Sequence, residues 1–560
     1  MKPRQKDLDT EAGDVILGPN PFVGFRLRDL LRGGLQTLTL AATQPRLTAK
    51  AGARLARELR AVARRESKLA PAPKDRRFAD AAWKDNPRYH AWLQSYLAWT
   101  QAVEQWLASQ QRIRPTTRAR LEFVTSLFND ALAPSNFPWQ PEALARFRES
   151  SGQSAFDGFK NLLAGMRENR GLPEQVDKSQ FQLGRNLATS QGAVILRTEV
   201  IELIQYKPLT PQVSSIPLLI VPPQINKYYV FDLSPEKSVV KGLLEQGLQV
   251  FVISWRNPTA EHRDWGLAEY ASAIDMAISS LCALTGQNRV NLVGACAGGM
   301  TLASYVAARA AAGDQRANSM TLMVNMLDVS AAGDTPLGLF ATPRVIEAAK
   351  RYSRSKGVLD GKDMATAFAW LRPNDLIWNY WVNNILLGKK PPAFDVLYWN
   401  NDSTRLPARL HEEFLDIYQS DAMTRPGTLR LHGIPVDLGQ VRCDTYLLAG
   451  SSDHITPWKA CYRSTQLFGG ENTFVLSNSG HIQSILNPPG NKKSEFWSSS
   501  DTGPDADAWR ETAPHHAGSW WPHWHQWLRE RSGAITEAPA ELGNTSYPPL
   551  QAAPGQYVME

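Results

Sequence analysis

The run Arg289-Val-Asn-Leu-Val-Gly294-Ala-Cys296-Ala-Gly298-Gly299 constrains this chain more than any other feature. Apolar, β-branched residues lead into it as in a buried strand, and a helical pattern follows. Glycines stand two residues before and two after the cysteine. A strand that turns sharply into a helix needs small residues there, because the turn is strained and the helix passes close to the strand. The pattern predicts a nucleophile presented on a strand–turn–helix, with cysteine where serine is expected.

At 560 residues the chain has room for two or three domains. A net charge of +7 spread over that length does not indicate a nucleic-acid binder, though it permits an anionic ligand or surface. The four cysteines, Cys282, Cys296, Cys443 and Cys461, form neither a CxxC pair nor a spaced zinc set. Few, scattered cysteines suit a reducing cytoplasm. The charged start Met1-Lys-Pro-Arg-Gln-Lys-Asp lacks the apolar stretch of a signal peptide. No apolar run is read as approaching transmembrane length.

Residues 1–190 read as a mostly helical N-terminal domain. In it Leu55, Leu59 and Val62 share a helical face ringed by Arg54, Arg57, Arg60 and Arg64, which reads as a solvated basic helix. Tyr89, Trp92, Tyr96, Trp99, Val103 and Trp106 step by three and four residues, a stripe for packing within the domain or between subunits. From about 191 the pattern alternates strand and helix. A pair of strand segments is expected over Val194–Tyr206, and single strands at Ile216–Val221, Gln249–Trp255, Arg289–Ala295 and Thr321–Leu327. Ser234 and Pro235 are expected to start one helix, and Leu267–Leu284 to form another. This alternation predicts a parallel sheet with helices on both faces. It stops over 333–437, a Trp-, Asn- and Pro-rich stretch read as an inserted cap. It resumes over 438–530, with strands at Thr445–Ala449 and Thr473–Leu476. Residues 531–560 read as an extended or poorly ordered tail.

The fold class expected is therefore α/β: an α/β-hydrolase fold with an inserted cap and a helical N-terminal domain. Triads on that fold follow the chain order nucleophile, acid, histidine. Asp453 and His481 each lie just past a predicted strand, where open α/β sheets carry their catalytic groups. Cys296, Asp453 and His481 are thus the catalytic candidates. Asp328 also ends a strand but precedes the cap, and Asp444 starts one. His454 is a possible auxiliary base. Cys282 and Cys461 fall in helices and read as packing residues. The oxyanion hole needs two backbone N–H groups. One is expected at Ala297, the other in the loop Gln224-Ile225-Asn226, with Ile225 taken as donor and Asn226 as a possible auxiliary. His515, His516, His523 and His525 are interleaved with Trp520, Trp521, Trp524 and Trp527, so a packed aromatic helix is expected rather than a metal site.

Cysteine at the elbow bears on the reaction. A thiolate that attacks a thioester forms another thioester, so the exchange is near thermoneutral and the acyl group stays activated. An alcohol can then take it downhill to an oxoester. This favours acyl transfer from a thioester donor over oxoester hydrolysis, with the cap excluding water.

Several segments together carry a resemblance: Asp75–Trp83, Val221–Tyr228, Phe251–Pro258, the elbow, Arg372–Asn379, Trp399–Pro407 and Gly480-His481. Through them nearly the whole chain resembles the polyhydroxyalkanoate synthases, most closely the class II, medium-chain-length group. Ala297 stands where that family often has another small or polar residue, which leaves the backbone donor intact. The resemblance implies polymerisation of (R)-3-hydroxyacyl-CoA into polyester with release of CoA and no further cofactor. It implies that Cys296 carries the acyl chain, that His481 is the general base and that Asp453 assists. It also implies a cytoplasmic homodimer at the surface of polyester granules, among granule-associated proteins. The competing readings on the same fold are an acyl-CoA thioesterase, a polyester depolymerase and a non-catalytic granule protein.

Overall fold

A computed structural model describes residues 35 and 37–560, apart from 74, 111–112, 170–171, 333–341 and 372. The charged N-terminal start, the beginning of the expected cap and Arg372 lie outside the described residues. The chain divides into two compact units, with a boundary at Lys178/Ser179.

The first unit is helical. Its helices include α1 (Pro45–Ala63), α2 (Pro87–Ala108), α3 (Pro115–Ala131), α4 (Pro141–Glu149) and α5 (Gln153–Glu168). Four of them begin with proline, whose missing N–H costs nothing in a first turn. The aromatic stripe runs along α2. Tyr89, Trp92 and Tyr96 pack against buried Phe78, Trp83 and Leu93, and Trp106 packs against Leu107 and Leu121. Trp99 turns outward and donates its indole N–H to Asn129 Oδ1 at 3.2 Å. The arginines of α1 are exposed, while Val62 is buried.

The second unit is built on an eleven-stranded sheet. The strands are β1 (Gly192–Arg197), β2 (Ile201–Tyr206), β3 (Leu218–Val221), β4 (Val250–Trp255), β5 (Val290–Ala295), β6 (Ala317–Met323), β7 (Asp444–Gly450), β8 (Asn472–Ser477), β9 (Glu495–Ser499), β10 (His515–Ala517) and β11 (Gln551–Ala552). Their order is β10-β9-β8-β7-β6-β5-β3-β4-β2-β1-β11. The six from β8 to β4 are parallel, and the outer strands on both sides are antiparallel. β3, β4 and β5 are buried along their whole length, as continuous apolar runs in a doubly covered sheet must be. The register aligns the strands' carboxyl ends: Val221 pairs with Gly294, Ala295 with Met323, Met323 with Leu448, and Gly450 with Ser477. The loops that follow these ends therefore meet at one edge of the sheet.

The helices of this unit include α6 (Val239–Glu245), α7 (Leu267–Thr285), α8 (Cys296–Ala311), α9 (Pro343–Lys356), α10 (Ala408–Ser420), α11 (Trp458–Arg463), α12 (His481–Ile485) and α13 (Trp521–Arg529). Four findings differ from the sequence reading, besides shifted strand ends such as that of β6, expected at Thr321–Leu327 and found at Ala317–Met323. The helix expected to start at Ser234 starts at α6, whose cap is Ser238; its hydroxyl accepts the Lys241 N–H at 2.9 Å. Ser234-Pro235 instead forms the turn before it, with the Lys237 N–H on the Ser234 carbonyl. Helix α7 is long and apolar enough to cross a membrane by length and composition alone, contrary to the reading that no run approached this. It packs as a core helix, burying Leu267, Tyr270, Ile274, Ala277, Ile278 and Leu281. The stretch 333–437 is shared: Thr366–Phe394 belongs to the first unit, and α9 and α10 to the second.

The fourth difference is the tail. Residues 531–560 are extended but fixed. Ile535–Glu537 pairs with Gln212–Ser214, and β11 pairs with β1. The N–H groups of Gln556 and Tyr557 both reach Glu202 Oε2 at 2.9 Å. Composition suppresses helix here, but an open sheet edge recruits the segment as a strand.

Candidate active site

Cys296 is the first residue of α8 and has φ +48°. A non-glycine residue in the left-handed region costs about 1–3 kcal/mol, so the surroundings must hold it there. They do so by close packing that only glycine permits. A Cβ at Gly298 would stand 2.3 Å from the Pro222 carbonyl oxygen, and one at Gly294 would stand 2.7 Å from Gly299 Cα. The loop after β3 is thereby brought against the start of α8. Within it the Gln224 Nε2 donates to Thr301 Oγ1 at 2.9 Å, and the Ile225 carbonyl accepts the Thr404 N–H at 2.9 Å. Asn226 forms an isolated antiparallel bridge with Ser403. Ile225 and Asn226 therefore lie in a braced loop beside the elbow, and the Ala297 N–H follows the thiol.

Asp453 lies three residues past β7, and its carboxylate is enclosed by donors. The N–H groups of Ile455 and Thr456 reach Oδ1 at 2.8 and 3.0 Å, and the Thr456 hydroxyl reaches Oδ2 at 2.7 Å. His481, the first residue of α12, donates its Nδ1–H to Oδ2 at 2.6 Å. That fixes the tautomer and leaves Nε2 available to the Cys296 thiol, which is near enough to help raise the ring.

Burial works to raise the Asp453 carboxyl, but the charge and hydrogen bond of His481 and the Thr456 donors hold it below its ordinary value. Burial works to lower His481, and the Asp453 carboxylate, followed by the contact with Cys296, reverses this and raises it. One consequence is testable. In Asp453→Asn the carboxylate is gone while burial and the contact with Cys296 remain, so the His481 ring is expected to titrate lower than in the parent. NMR of the imidazole against pH reads this directly. An unmoved titration would remove Asp453 as the cause.

The other candidates are engaged elsewhere. Asp328 pairs with Arg463 at 2.7 Å, and Asp444 with Arg531 at 2.9 Å. His454 sits half-buried in the turn beside Asp453, while the ring that Asp453 holds is that of His481. Burial pushes up the thiols of Cys282, Cys443 and Cys461, that of Cys443 to about 12, which suppresses the nucleophilic thiolate. The C-terminal histidines are dispersed over separate partners: His515 on Glu495, His516 on Ser498, and His523 on the Tyr446 hydroxyl. Their neighbouring tryptophans brace the helix that carries His481. The indole N–H groups of Trp520 and Trp521 cap the carbonyls of Ser484 and Ile485 at 2.7 and 3.0 Å.

Two polar residues at the site escaped the sequence reading. Thr456, three residues after Asp453, could have been found as a local Asp-x-x-Thr turn. Asn325, whose Nδ2 donates to the Cys296 carbonyl at 2.7 Å, has no such local signal.

Comparison with known proteins agrees with this fold. Residues 74–243 match the family described as poly-beta-hydroxybutyrate polymerase N-terminus, and residues 217–488 match the alpha/beta hydrolase fold. The chain is 50% identical over 554 residues to poly(3-hydroxyalkanoate) polymerase 1 of Ectopseudomonas oleovorans, covering 99% of both chains. It is 48% identical over 541 residues to polymerase 2 of the same organism, covering 96% of both. To the poly(3-hydroxyalkanoate) polymerase subunit PhaC of Cupriavidus necator it is 39% identical, covering 86% of this chain and 83% of that one.

Proposed function

The chain belongs to the poly(3-hydroxyalkanoate) polymerase family, and from that premise we propose that it joins (R)-3-hydroxyacyl groups from CoA thioesters into a polyester through Cys296, His481 and Asp453. It is an acyltransferase. In this reading His481 takes the Cys296 proton and the thiolate adds to the thioester carbonyl. The oxyanion accepts N–H hydrogen bonds from Ala297 and from the 224–226 loop, with Ile225 as donor. The intermediate collapses, the C–S bond to CoA breaks, and the CoA thiolate takes the proton from His481 and leaves as the free thiol, which restores the neutral imidazole. The 3-hydroxyl of a second acyl group then gives its proton to His481 and attacks the Cys296 thioester. An ester bond forms and the thiol is regenerated. Asp453 stabilises the imidazolium and fixes its tautomer throughout.

The observation that supports this reading is the strained elbow that presents Cys296 near a His481 ring held by Asp453 at 2.6 Å. The remaining parts of the proposal rest on the resemblance drawn from sequence motifs. These are medium-chain substrates, no cofactor beyond the CoA of the substrate, a homodimer, and a cytoplasmic place on polyester granules with granule-associated proteins. His454 and Asn226 stay auxiliary to it.

The test uses the full chain with (R)-3-hydroxydecanoyl-CoA, following CoA release and the mass of the acyl product. Ester-linked oligomers are expected. Free 3-hydroxydecanoic acid would make the protein a thioesterase.

A further inference from the structure

We propose that Asn325 is a positioning residue that aims the oxyanion-hole N–H of Ala297 by gripping the other end of the same peptide group. The inference rests on the reading of Cys296 as nucleophile. A peptide unit is a rigid plane in which the carbonyl of one residue and the N–H of the next point in opposite directions. The carbonyl of Cys296 and the N–H of Ala297 form one such unit. Asn325 Nδ2 holds that carbonyl at 2.7 Å. Fixing one end of the plane fixes the other, and it does so at a residue whose φ of +48° is otherwise unfavourable. A hydrogen bond to the carbonyl also polarises the amide, which makes its N–H a better donor.

The surroundings are arranged for this contact. Asn325 follows β6 and is buried, and the backbone reaches it through Val324 at φ +45°, an outlier for a β-branched residue. The Val324 N–H is tied to the Leu448 carbonyl at 2.7 Å, which holds the turn. The Asn325 side chain lies against Gly299, where an added Cβ would come within 3.0 Å of Nδ2. The orientation of the amide is unambiguous. A carbonyl accepts and cannot donate, so Nδ2 must face Cys296, even though this leaves the buried Oδ1 with no partner among the described residues. Two strained residues and one unpaired buried oxygen thus accompany a single hydrogen bond, and that bond lies on the peptide that supplies the oxyanion donor.

Asn325→Leu, which keeps the branching of the side chain and removes the donor, separates this role from a structural one. Acylation of Cys296 by the acyl-CoA builds charge on the carbonyl oxygen and needs the Ala297 N–H. Alkylation of the same thiol by iodoacetamide builds none there. In the Leu variant, single-turnover acylation and elongation are expected to fall roughly tenfold to a hundredfold, since removal of a whole oxyanion donor costs about 10²–10³-fold. KM for the acyl-CoA and the iodoacetamide rate are expected to stay within about twofold of the parent. If alkylation and acylation fall together, Asn325 merely holds up the elbow and the proposal fails. If neither falls, it fails as well. Asn325→Ala provides the same comparison if the Leu chain does not fold. A Cys296→Ala chain measured alongside keeps the two readings apart: turnover without the thiol would sink the nucleophile assignment, whatever Asn325 does.

Discussion

Cys296→Ala is expected to release no CoA beyond background and to form no acyl-enzyme, a loss on the order of 10⁴- to 10⁶-fold in turnover. The size follows from the absence of a substitute. The other three thiols are pushed up by burial, and the most deeply buried, Cys461, gives its S–H to the Thr456 carbonyl at 3.5 Å. The fold should survive the change. Alanine meets no more strain than cysteine at φ +48°, and the glycine contacts that shape the elbow are untouched. The measurement is intact-protein mass after mixing with (R)-3-hydroxydecanoyl-CoA, with the thermal midpoint as the check on folding. A shift of one acyl group is expected in the parent and none in the variant. An unchanged midpoint with turnover near that of the parent would move the nucleophile elsewhere.

What the sequence revealed of this site, and what it hid, divides by range. The elbow was legible because everything that defines it is local: a β-branched strand, two glycines that must be small, and a helix behind them. Asp453 and His481 were legible one step less directly. Each follows a recognisable strand, and parallel strands bring their carboxyl ends to one edge whatever lies between them. Asn325 was not legible, because its meaning is a hydrogen bond to a carbonyl 29 residues away across two strands. The same limit explains the tail. Its prolines and glycines indicate only what it cannot form, while the strand pairing it adopts is dictated by the open edge of β1. At Ser234 and Ser238 the local signals conflicted. Serine followed by proline is a sound helix start in isolation, but the buried pair Val239 and Val240 sets where the helix can pack, so Ser238 caps it. The tryptophans near the C-terminus read correctly as packing, yet their link to α12 depends on two indole-to-carbonyl bonds that span 36 residues each.

His481→Gln is expected to stop chain growth more completely than it stops the first acylation. Glutamine can still bond to Asp453 but cannot accept a proton at neutral pH. Loss of a general base costs about 10²–10⁴-fold per step, and in the proposed mechanism both steps of each cycle use this one. The two steps differ in what a higher pH can repair. Thiols as a class are acidic enough for mildly alkaline solution to supply thiolate without a base to help, so acylation in the Gln variant should climb with pH. The 3-hydroxyl is a far weaker acid than a thiol, and solvent cannot ionise it usefully in that range. At alkaline pH the variant should therefore accumulate acyl-enzyme with one CoA released per site and no ester-linked dimer. In the parent, Asp453 holds the imidazole raised, so the base form that accepts the hydroxyl proton grows as pH rises, and elongation should rise with it. Single-turnover mass spectrometry across pH distinguishes these outcomes. Oligomers from His481→Gln at the parental rate, with His454→Gln inactive instead, would transfer the base to His454.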